Sequence, residues 1–131
     1  MADATDRDGG RRIELPEPLL PEDSLLDLSE YLAMQRTIAN ETRFRILRTL
    51  SRNGDLSATQ LRDALEVPAN NLHYHLGELV DAGLIQNRKR SEPDRDGLYS
   101  YYRVSPLGEA MLEHGVEELL RRERAFLERY A

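Results

Sequence analysis

A chain of 131 residues with 40% hydrophobic content is the size of one domain and can bury a small core. The absence of cysteine excludes disulfides, thiolate metal sites and a cysteine nucleophile, and no apolar run approaches the roughly 18 residues of a membrane span. A formal net charge of −6 argues against a grip on nucleic acid spread over the whole chain. The N-terminus has no apolar signal-peptide core, so we expect a cytoplasmic protein with no membrane partner.

The charge is unevenly placed. Residues 1–40 hold nine acids and four bases, and 106–131 hold six and four, but 41–105 hold nine acids and ten bases. The acidity therefore lies in the flanks. Of the 18 basic residues only Lys89 is lysine. Many carboxylates with almost no lysine fit a halophilic protein kept soluble in concentrated salt; a GC-rich genome would produce the same arginine bias.

Residues 1–23 are charged and carry Pro16, Pro18 and Pro21, which predicts a flexible acidic arm ahead of a domain over 24–131. From Ser24 the pattern turns helical, with Leu25, Leu28 and Leu32 on one face. Asn40 is placed to cap a second helix, "ETRFRILRTLSRN", whose stripe is Ile46, Leu47 and Leu50 and whose stop is Asn53-Gly54. In "DLSATQLRDALEV", Ser57-x-x-Gln60 reads as a capping box for a short helix burying Leu61, Ala64 and Leu65. Pro68 opens the next helix, "NLHYHLGELVD", with Leu72, Leu76 and Leu79 inward and Ala82-Gly83 at its end. "LIQNRKR" and "YSYYRV" alternate as strands about the loop "SEPDRDGL", forming a hairpin with Tyr102 and Val104 inward. Ser105-Pro106 then starts one long helix to the C-terminus, with Leu112, Val116, Leu119 and Phe126 at three- to four-residue spacing. A short helix, a turn, a second helix and a hairpin make the winged helix-turn-helix layout, mainly α with a small β element.

His73 and His75 stand two residues apart in a chain with three histidines. On a helix that spacing separates them by roughly 160°, so they cannot share one metal ion. His73 flanks the outer face, while His75 lies nearer the core and is assigned to packing and local hydrogen bonding.

At this point a family resemblance is legible. "IANETRFRILRTL", "LRDALEVPANNLHYHLGELVDAGLI" and "YYRVSPLG" resemble the opening helix, the helix-turn-helix core and the wing end of ArsR-type winged-helix repressors, over roughly residues 34–112. The resemblance implies a homodimer on operator DNA, with the terminal helices supplying dimer contacts. Some members of that family sense metal through cysteines, which this chain lacks. Others use an Asp-x-His pair with His-x-x-Glu; His114-x-x-Glu117 fits the second half, but Tyr101 and Arg103 occupy the first. No metal or cofactor is expected.

The binding chemistry follows from side-chain type. Asn70 and Asn71, with His73 and Tyr74 next, are candidates for base edges, since asparagine pairs with adenine in a bidentate manner. Asn70 would serve equally as a helix cap. Ser57, Thr59 and Gln60 open the preceding helix, where hydroxyls, amides and the helix end suit phosphate. Arg88, Lys89, Arg90 and Arg95 form a basic cluster in the wing; Arg88 and Arg90 share a face for the backbone, and Arg95 suits a minor groove. Alternatively, those arginines pair with Glu92, Asp94 and Asp96. The Leu25/Leu28/Leu32 and Leu112/Val116/Leu119/Phe126 stripes either pair across a two-fold axis or pack on each other within one chain. A dimeric, sequence-specific regulator of transcription binding double-stranded DNA is the leading expectation. The alternative is a winged-helix module that docks on transcription or replication machinery without reading bases. Ser100, Ser105 and the histidines have no nucleophile–base spacing, so no enzyme is expected.

Overall fold

A computed structural model describes residues 12–13, 20–94 and 97–130. The chain divides into two compact units, residues 1–31 and 32–131. Of the expected arm over 1–23, only 12–13 and 20–23 are among the described residues.

In the first unit Ser24 closes a turn by donating its backbone N–H to Pro21 O at 3.1 Å. The first helix, α1, spans Leu28–Ile38. Its start is a capping box: the Asp27 carboxylate accepts from the Glu30 N–H at 2.9 Å, and Glu30 accepts from the Asp27 N–H at 3.0 Å. The helix therefore begins later than the leucine spacing suggests. Leu25 falls outside it and is 96% exposed.

In the second unit α2 spans Glu41–Asn53, α3 Ala58–Leu65 and α4 Ala69–Asp81. Each start or stop has a local chemical cause. The Asn40 side chain accepts from the Arg43 N–H, and Gly54 ends α2 at a φ of 81°. Ser57 and Gln60 form the expected capping box of α3. The turn into α4 is made by Glu66 at a φ of 54°, a left-handed position that glycine would occupy without steric cost.

The hairpin joins β1, Ile85–Ser91, to β2, Leu98–Val104, in antiparallel register with Ile85 opposite Val104 and Arg88 opposite Tyr101. Leu56 adds an isolated antiparallel rung to β2, exchanging backbone bonds with Tyr102 at 2.8 and 3.2 Å. The core gathers Ile46, Leu47 and Leu50 of α2, Leu61 of α3 and Leu72, Leu76 and Leu79 of α4, all nearly fully buried. Burying each such side chain contributes about 1.5–3 kcal/mol before chain entropy is charged. Tyr102 is buried and Val104 half-buried, as the strand alternation predicts. Ala64, which the helical spacing placed inward, is exposed, because only the Leu61 side of this short helix meets the core.

The C-terminal segment departs from the sequence reading. In place of one long helix the structure has α5, Pro106–Glu113; α6, Val116–Arg121; and α7, Glu123–Tyr130. Ser105 caps α5 and is itself buried: its hydroxyl donates to Gly83 O at 2.7 Å and accepts from the Gly108 N–H at 3.0 Å. Gly108 lets α5 close on the strand, since a Cβ there would lie 2.2 Å from Leu84 O. Gly115 breaks the next turn with a backbone in which a Cβ would stand 2.6 Å from Met111 O. Leu112, expected on the dimer stripe, is only 2% exposed and belongs to the core of the single chain. The break at Gly115 separates it from Val116, Leu119 and Phe126, which remain exposed together with Leu120 and Leu127. Leu28 and Leu32 are exposed on α1. Among the described residues, no helix is long and apolar enough to cross a membrane.

Candidate nucleic-acid interface

The buried Leu72/Leu76/Leu79 stripe fixes which face of α4 is free. Asn70, Asn71, His73 and Tyr74 all lie exposed. Pro68 precedes the helix without a side-chain cap, and Asn70 sits inside the first turn, so it is not the cap. No hydrogen bond involves the Asn70, Asn71 or His73 side chains among the described residues, and their donors and acceptors face outward.

Tyr74 is held from below. The Arg43 guanidinium of α2 lies 5.8 Å from its ring centroid, and its ring meets His75 edge-on at 5.3 Å. Arg43 Nε donates to His75 Nδ1 at 3.1 Å, and Arg43 Nη1 donates to Thr37 O at 3.1 Å. Burial first, then the Arg43 charge, holds the half-buried His75 below the ordinary imidazole range, with Glu78 opposing.

Ser57 and Gln60 spend their acceptor oxygens on each other's backbone N–H groups, at 3.2 and 2.8 Å. The Gln60 amide N–H groups, the Ser57 hydroxyl proton and the exposed Thr59 remain for a ligand. With Tyr99, Ser100 and Tyr101 they line a cleft of about 530 Å³ between α3 and the wing.

In the wing the basic residues divide. Arg88 and Lys89 are exposed and have no carboxylate partner among the described residues. Arg90 is exposed but engaged: it pairs with Asp55 and stacks 4.3 Å from the Tyr101 ring centroid. Asp55 also takes a two-pronged bond from Arg103, at 2.9 and 2.8 Å. The Arg103 hydrogen bond, then the charges of both arginines, holds the Asp55 carboxyl below its ordinary range. Glu92 accepts from the Tyr101 hydroxyl and has no arginine partner among the described residues. Arg95 lies outside the described residues.

Sequence alone singles out neither Asp55 nor Arg43, and it marks Arg103 only as an occupant of the missing half of the metal motif. The half metal motif also looks different in place: Glu117 is engaged by Arg48 at 3.3 Å and Arg52 at 3.8 Å, two cations that oppose a metal there. Among the described residues no group of three His, Cys, Asp or Glu side chains could hold an ion.

A short capped helix, a tight turn, a second helix with a free polar face and a hairpin docked beside it define a winged helix-turn-helix protein. The helix-turn-helix domain family matches residues 38–86. The chain is 31% identical over 71 residues to the arsenic resistance transcriptional regulator ArsR1 of Pseudomonas putida, covering 54% of this chain and 51% of that protein. It is 37% identical over 76 residues to transcription factor E of Ignicoccus hospitalis, covering 57% and 43%. This chain thus spans about half the length of the curated relatives it matches. The structure of HlyU from Vibrio cholerae superposes with a TM-score of 0.55 at 30% identity, covering 65% of this chain and 86% of that one. The chain belongs to the ArsR-type winged helix-turn-helix regulators.

Proposed function

We propose that this protein is a sequence-specific regulator of transcription that acts in the cytoplasm as a homodimer on double-stranded DNA. The free polar face of α4, set outward by three buried leucines, carries this reading. Asn70, Asn71, His73 and Tyr74 meet base edges, and Ser57, Thr59, Gln60, Arg88 and Lys89 meet the backbone. Arg90 reaches a phosphate only by leaving Asp55. The exposed Val116, Leu119, Phe126 and Leu32 side chains supply the apolar surface that a two-fold partner buries.

The test is a selection of duplexes from a random library by the full chain, followed by titrations on the selected and a scrambled duplex. Asn70→Ala or His73→Ala should cost about 1–3 kcal/mol on the selected duplex and little on the scrambled one. Arg88→Ala should weaken both and flatten the salt dependence by about one counterion. Wing variants that lose only selected-duplex binding, beside α4 variants that lose nothing, would overturn the assignment.

A second reading is favoured by the likeness to transcription factor E and by the net charge of −6. In it the domain docks on transcription machinery without reading bases. A library selection that enriches no sequence, with the protein retained on such machinery, is its signature.

A further inference from the structure

Arg43 makes three contacts, two of them on the reading helix and one on α1. One arm is fixed on Thr37 O, Nε reaches His75 Nδ1, and the guanidinium carbon lies near the Tyr74 ring. The hydrogen bond defines the state of His75. A nitrogen that accepts from Arg43 carries no proton, so the imidazole is neutral with its hydrogen on Nε2. Tyr74, lying edge-on against that imidazole, is 60% exposed on the outer face of α4.

We propose that Arg43 is a positioning residue for base reading, and that uptake of a proton by His75 opens the clamp through which it sets Tyr74. This rests on the reading of α4 as the helix that meets base edges. An imidazolium has N–H groups on both nitrogens and cannot accept from Arg43. It also places a second cation 3.1 Å from Arg43 Nε, and Arg43 is restrained from retreating by its bond to Thr37 O. The groups that face His75 are Arg43 from α2, and Tyr74 and Glu78 from α4. Glu78 favours the proton, but it also takes the Tyr74 hydroxyl at 3.5 Å. A charged His75 therefore competes with Tyr74 for Glu78 while repelling Arg43. Both effects loosen the tyrosine. The lowered proton affinity of His75 keeps the clamp closed at neutral pH and sets its opening on the acid side.

The experiment uses the full chain, a duplex selected by the wild-type protein at pH 7.5, and its scrambled counterpart. Affinities are measured between pH 8 and pH 5. The ratio of selected to scrambled affinity should fall about tenfold on acidification, the scale of one good base contact. His75→Asn puts a carbonyl oxygen, which does not titrate, near the place of Nδ1, and should hold the ratio flat. His73→Asn should lower the ratio at every pH as a lost base contact does, yet the ratio should still fall about tenfold on acidification, which separates the two histidines of α4. Arg43→Met should lower the ratio about tenfold at every pH while sparing scrambled binding. A wild-type ratio independent of pH, or a fall that persists in His75→Asn, overturns the proposal. Should Arg43→Met fail to fold, the wild-type and His75→Asn profiles still decide. If the selection enriches no duplex, base reading itself has failed. In that case the Tyr74 ring resonances of the free protein are followed across the same pH range: movement coupled to His75 titration supports the clamp, and a static ring overturns it.

Discussion

Replacing Asp55 with asparagine isolates the wing's charge from its shape. Asparagine is nearly isosteric and can still accept a bond from Arg103, but it has no charge with which to hold Arg90. In the wild-type protein Arg90 is committed to Asp55 and to the face of Tyr101. In Asp55→Asn that arginine becomes available to a phosphate. One added phosphate contact steepens the fall of log affinity with log salt by about 0.9. Lowering salt fourfold should then strengthen the variant's binding about threefold more than the wild type's, on any duplex. Fluorescence anisotropy over a salt series, with selected and scrambled duplexes, reads this slope. A double-mutant cycle completes it. Arg90→Ala should change the wild-type slope less than Arg88→Ala does, and should cost a full contact in the Asp55→Asn background. Equal slopes for Asp55→Asn and wild type would refute the reasoning, as would a wild-type Arg90→Ala as costly as Arg88→Ala. Acid should not imitate the mutation near neutrality. The Asp55 carboxyl is held below its ordinary value, so its stabilisation is complete above that value and is lost only as pH falls through the depressed one.

Four other outcomes are expected. Ser105→Ala should destabilise the fold by about 1–3 kcal/mol in urea titrations, because it leaves the buried Gly108 N–H without its partner and removes the hydroxyl's bond to Gly83 O. Glu66→Gly should raise stability by about 0.5–1 kcal/mol by relieving the left-handed turn; a loss would show that the Glu66 side chain has an unrecognised role. Leu119→Glu with Phe126→Glu should yield monomer by light scattering with helical content retained, and a persistent dimer would place the interface elsewhere. Zinc should not bind stoichiometrically, since Glu117 is occupied by arginines, and a site lost on His114→Ala would contradict this.

What the sequence made legible was local. The Asn40 cap, the Ser57/Gln60 box, the Ser105-Pro106 start and the leucine stripe of α4 each depend on residues within a turn or two. Asp27-x-x-Glu30 was such a signal too, and it moves the first helix start past Leu25. The interface needed more. Arg43 and His75 are 32 residues apart, Asp55 and Arg90 35, and Asp55 and Arg103 48. No periodicity encodes those meetings. Charge type alone made Arg88 and Arg90 look alike, and only the fold reveals that one has a carboxylate beneath it. The C-terminal break was missed because Leu112 and Val116 continue a helical spacing straight through Gly115, whose backbone does not.

The rung between Leu56 and Tyr102 has a consequence for DNA mechanics. It ties the entry to α3 directly to β2, while Asp55 beside it holds an arginine from each wing strand. Helix and hairpin thus form one stiff gauge, which on the proposed function would set the distance between the groove met by α4 and the backbone met by the wing. Any misfit must be absorbed by the duplex. Bending a site of 20–30 base pairs by 40–90° costs about 1–6 kcal/mol and costs least where flexible pyrimidine–purine steps lie. Base pairs that no side chain reaches should therefore contribute to site choice through how readily they yield.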